Sequence, residues 1–152
     1  MSGSPRPIRL LAVDHGDRRT GLAATDPTGT IVVPLAAIHH TNDRTCADAI
    51  ATIAKERGSQ RIVVGLPLVD SPDGTGAVGR RAARTLAFVA ILRAALTTAA
   101  VACDVVTYDE SFTTDQAHER LREGGIKAAR RKQLADSVAA LILLERYRAS
   151  GA

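Results

Sequence analysis

Tryptophan is absent from the 152 residues, and two Phe and two Tyr bring the aromatic content to only 3%. Phe88, Tyr108, Phe112 and Tyr147 cannot form the stacking platform of RNA-recognition or single-strand-binding sheets, so any contact with nucleic acid must run mainly through charge. Cysteine is equally scarce. Cys46 and Cys103 stand alone and far apart, without C-x-x-C spacing, which excludes a structural zinc site or disulfide framework and leaves two ordinary buried thiols. No apolar run approaches the roughly 20 residues of a membrane span, and the Ser-, Pro- and Arg-containing start lacks a signal-peptide core. The expectation is a cytoplasmic protein without membrane contact. The length suits one domain over residues 1–152, frayed at 1–6 and 149–152. Its 20 basic and 16 acidic side chains give a modest +4.

The patterning is of mixed α/β type. Ile8 to Val13 reads as a strand, Leu22 to Thr25 as a second, and Thr30 to Val33 as a third. Asp26-Pro27-Thr28-Gly29 has the residue preferences of a type I turn, so the three strands should form an antiparallel meander. A helix follows, with Asn42 or Asp43 as its cap and Gly58 as its stop. Arg61 to Gly65 reads as a buried strand and Val105 to Tyr108 as a further strand. Helices are expected at about Arg80 to Thr98, Thr114 to Glu123 and Ala128 to Arg148. The order β-β-β-α-β-α-β-α-α predicts a five-stranded mixed sheet with helices on both faces.

Three places in the chain put an acid where a charge is costly. Asp14 ends the first apolar strand; Asp109 and Glu110 end the last one and point to opposite faces, so only one of them can share a face with Asp14. Asp136 precedes a nearly continuous apolar stretch, and the good helix formers of 128–135 place it inside a helix rather than at a cap. Such acids could converge on hard divalent cations, which accept few carboxylates and complete their shell with water and phosphate oxygens. Two ions held in this way serve phosphodiester cleavage.

Gly74-Thr75-Gly76-Ala77-Val78-Gly79 is literally G-x-G-x-x-G, but Pro67 to Asp73 separates it from the preceding strand, and no acid stands about 20 residues on. A loop over a site is the better reading, without a nucleotide cofactor. Basic residues gather at Arg80, Arg81 and Arg84, at Arg120 and Arg122, and most densely at Lys127, Arg130, Arg131 and Lys132, one turn before Asp136. They suit sequence-independent phosphate contacts. His39, His40 and His118 show no partner pattern, and His15 stands out only beside Asp14.

From Ile8 to Tyr147 the chain resembles the YqgF/RuvX family of pre-16S rRNA nucleases and Holliday junction resolvase-like proteins. Asp14-His15-Gly16 with Arg19 and Gly21 is similar to its D-x-G-x-x-R-x-G opening, and Asp26-Pro27-Thr28-Gly29 to its D-P-x-G turn. Val64-Gly65-Leu66-Pro67-Leu68, Asp73-Gly74-Thr75, Asp109-Glu110 and the helix containing Asp136 complete the series in order. The resemblance implies an RNase H-like fold, Asp14, Glu110 and Asp136 as catalytic ligands of Mg²⁺ or Mn²⁺, and a role at the 5′ end of 16S rRNA. It favours Glu110 over Asp109. Nucleic-acid contacts are expected from Arg19, Arg80, Arg81, Lys127, Arg130, Arg131 and Lys132, in a monomer or homodimer. Branched DNA is the alternative substrate, and a non-catalytic nucleic-acid-binding or ribosome-assembly role the other alternative. The chain departs from the family pattern at Ser111, where Arg is usual, at His15, where an apolar or aromatic residue is usual, and at Val69 to Pro72, which is about two residues longer.

Overall fold

A computed structural model describes residues 7–67, 79–109 and 128–151, the side chains of 128–136 excepted. The expected helix at 114–123 and positions 74–78 of the glycine-rich loop lie outside the described residues.

The β-rich first third builds the meander. Strand β1 (Leu10–Asp14) pairs antiparallel with β2 (Arg19–Thr25), and β2 with β3 (Val32–His39). The Asp26 turn closes through Gly29 N–H to the Asp26 carbonyl at 2.8 Å, while the Asp26 carboxylate accepts from Thr30 N–H, Ile31 N–H and the Thr28 hydroxyl. Those donors, led by Ile31 N–H, hold its carboxyl below the usual carboxylate range.

β2 starts three residues before the expected Leu22, and β3 runs six residues beyond the expected Val33. The polar run Arg19-Thr20-Gly21 hides the first extension. Pro34 hides the second, because proline is tolerated in this strand only where the sheet ends. The β2–β3 register shifts between Thr20 and Leu22, and a bulge of this kind re-aims side chains at a sheet rim.

Helix α1 (Asp43–Arg57) begins at Asn42, whose Oδ1 accepts from Thr45 N–H at 2.8 Å, and ends at Gly58, where φ is +65°. Then come β4 (Arg61–Leu66), α2 (Arg80–Thr98), β5 (Asp104–Asp109) and α3 (Ala128–Ala149). β4 lies parallel to both β1 and β5, giving the order β3-β2-β1-β4-β5.

Alternation along the strands divides the core. Leu11, Val13, Leu22, Ala24, Ile62 and Val64 face α1 and α2, while Leu10, Ala12, Ala23 and Val63 face Ala140, Leu143, Leu144 and Tyr147 of α3. Complete burial of Leu143 or Leu144 is worth about 1.5–3 kcal/mol. The expected mixed sheet with helices on both faces is the observed one.

Candidate metal and nucleic-acid site

Asp14 is the half-buried last residue of β1. Alternation with Leu10 and Ala12 places it on the α3 face, opposite Gly21 of β2. Helix α3 is pinned at the same level. Leu22, the register partner of Val13, donates its N–H to Ser137 Oγ at 3.3 Å, and that hydroxyl donates to the Leu35 carbonyl at 2.5 Å. The backbone of Asp136, one residue before Ser137, therefore reaches the sheet beside the end of β1. Asp136 is the ninth residue of α3, as its helix-forming predecessors predict; its side chain lies outside the described residues. So does Glu110. Asp109 closes β5, and because Val106 and Tyr108 pack toward α3, Asp109 takes the other face. Among the described residues no three His, Cys, Asp or Glu side chains gather as a metal cluster.

The predicted basic residues divide likewise. Arg19 is exposed at the start of β2. Its neighbour Thr20 points toward α1, with Oγ1 at 3.4 Å from Cys46 Sγ and 2.9 Å from His40 Nε2, so Arg19 takes the face of Asp14. Arg80 and Arg81 are exposed on the first turn of α2, on the other layer. An ion pair between Asp17 and Arg84, in the next turn of α2, ties the start of that helix to the connection following Asp14, so both layers present cations at one end of the sheet. Arg130, Arg131 and Lys132 belong to the first turns of α3 with side chains outside the described residues, as Lys127 is entirely.

Two readings need correction. His40 has a partner after all: it is buried against Thr20, and burial, reinforced by nearby His15, pushes its imidazole below the ordinary histidine value. Cys103 is half-buried rather than buried, although burial still pushes its thiol up to about 11; Cys46 is buried, and its thiol is also raised. An open depression of about 420 Å³, lined by Arg18, Arg19, His39, His40 and Thr41, also escaped the sequence. Consecutive Arg18-Arg19 and His39-His40 were the only local signal; their meeting depends on the cross-strand pairing of Arg19 with His39.

The family model for RuvX, described as Holliday junction resolvase, matches residues 8–149. A protein of Chloroflexus aggregans named as a candidate pre-16S rRNA nuclease is 40% identical over 139 residues, covering 91% of either chain. One of the same name from Acetivibrio thermocellus is 32% identical over 141 residues, covering 92% of this chain and 94% of its own. The solved structure of Thermus thermophilus RuvC superposes with a TM-score of 0.60 at 14% identity, covering 95% and 97% of the two chains. That likeness establishes the fold, the RNase H-like α/β architecture.

Proposed function

The chain belongs to the RuvX family, and from that premise we propose that it is a divalent-metal-dependent endonuclease processing the 5′ end of precursor 16S rRNA in the cytoplasm. The observation that carries this reading is the meeting of Asp14 and the backbone of Asp136 at one end and one face of the sheet. Relatives named for pre-16S rRNA cleavage, similar over nine-tenths of the chain, supply the substrate class.

Asp14, Glu110 and Asp136 are the proposed ligands. The donor set fits a hard cation: it offers only carboxylate oxygens, and Asp14 faces a glycine across β2. Mg²⁺ or Mn²⁺ bound in this set supplies Lewis acidity and a more acidic water for phosphodiester hydrolysis. Asp14 and Asp136 set the geometry from two rigid elements, a central strand and a packed helix. Arg19, on the face of Asp14, neutralises a phosphate next to the cleaved one. Arg80, Arg81, Lys127, Arg130, Arg131 and Lys132 hold the backbone on either side, giving salt-sensitive binding without sequence readout.

The description of the family model favours a second reading, cleavage of branched DNA, which needs two opposed cuts and hence a symmetric dimer. A side-by-side assay of a precursor 16S fragment and a four-way DNA junction, with Mn²⁺ and with chelator, separates the two. Preferential, chelator-sensitive cleavage of the RNA is expected; preference for the junction would transfer the reading to DNA.

A further inference from the structure

His15 follows Asp14 directly, yet its side chain leaves the strand in the opposite direction and is only 4% exposed. Nε2 lies 2.9 Å from Asp43 Oδ1 and, since an ionised carboxylate can only accept, the ring N–H donates. The imidazole lies flat on Phe88, with centroids 3.9 Å apart and planes 10° from parallel; His40 flanks it at 5.9 Å and 12°. Both anchors are firm. Phe88 is fully buried in α2, and Asp43 is the first residue of α1, in the turn capped by Asn42.

One side chain thus fastens the connection after β1 to both helices of the layer opposite α3. Consecutive side chains at a strand end diverge to opposite faces. Fixing the ring of His15 by a plane and a hydrogen bond therefore fixes the backbone rotation that aims Asp14. The turn that follows allows little slack: a Cβ on Gly16 would collide with the Arg19 carbonyl oxygen. A strand end without such an anchor frays, and a misplacement of about 1 Å at a reacting centre can cost about 100-fold in rate.

We propose that His15, held by Asp43 and seated on Phe88, is a positioning residue that keeps the Asp14 carboxylate directed to the α3 face. The proposal rests on the reading of Asp14 as a metal ligand and adds a part of the site on the other side of the sheet.

The test compares full-length wild type with Asp43→Ala, Asp43→Asn, His15→Phe and the double variant His15→Phe/Asp43→Ala. Three quantities are read: hydrogen exchange of the metal-free protein across residues 14–18, Mn²⁺ affinity by calorimetry, and kcat and KM on the precursor fragment. Asp43→Ala should speed exchange at 14–18 while leaving β4 protected, weaken Mn²⁺ binding about 10-fold or more, and lower kcat with KM unchanged. Asp43→Asn, which keeps a hydrogen-bond partner, should restore most of the loss. In the His15→Phe background, Asp43→Ala should add nothing. Unchanged loop exchange and Mn²⁺ affinity in Asp43→Ala, a uniform rise in exchange that includes β4, or an equal cost of Asp43→Ala in both backgrounds would overturn the positioning role. A wild type that binds no Mn²⁺ counts instead against the reading of the site, and the exchange comparison then still decides whether His15 holds the strand end.

Discussion

The Ser137 hydroxyl donates to the Leu35 carbonyl of β3 and receives the Leu22 N–H of β2, so one side chain from α3 bridges two strands beside Asp14. Ser137 is fully buried, and its removal leaves a carbonyl and an N–H without these partners. Ser137→Ala should lower stability by about 1–3 kcal/mol, read as an earlier urea midpoint with an unchanged slope. Cleavage should fall further than stability explains, because the same bridge places Asp136. A variant as stable and as active as wild type would remove the bridge from the account.

Arg19 shares the face of Asp14, so its contribution to binding should be electrostatic and independent of sequence. Arg19→Ala should reduce the slope of log K against log salt by about 0.7–0.9, one phosphate contact, for matched RNAs of different sequence. The measurement is fluorescence anisotropy across a salt series. An unchanged slope would take Arg19 off the nucleic-acid path.

Burial, with His15 close by, holds the His40 imidazole below its ordinary value of 6.5, while Asp43 and Asp17 oppose the shift. The unfolded chain then binds more protons than the folded one below that value. The stability contributed by neutral His40 is fully present above pH 6.5 and is lost as pH falls toward the folded-state value. Urea midpoints from pH 8 to pH 5 should therefore decline more steeply in wild type than in His40→Gln. Parallel pH dependences in the two proteins would contradict the assignment.

Much of this architecture is legible in local sequence. The bounds of α2, Arg80–Thr98, follow from its apolar spacing, and those of α1 from the Asn42 cap and Gly58 stop, because these signals lie within the elements themselves. Asp14 is legible for the same reason: an acid closing an apolar strand is conspicuous. What escaped depends on distant partners. Thr20 belongs to a buried strand only because Cys46 and His40 satisfy its hydroxyl, and the reach of β3 through Pro34 depends on its place at the sheet edge. The destination of His15 required knowing that α1 and α2 meet above the β1–β2 connection. Glu110 owes its preference over Asp109 to the family resemblance; Asp109 itself takes the face away from α3, where Tyr108 packs.

Asp14 carries the proposed metal chemistry most directly, and one variant tests it. Asp14→Asn keeps the size and polarity of the side chain and removes its charge. With precursor 16S fragment and Mn²⁺, cleavage should fall by at least about 1,000-fold, with RNA affinity within about threefold of wild type and an unchanged urea midpoint. Cleavage at the wild-type rate by purified, folded Asp14→Asn would contradict it.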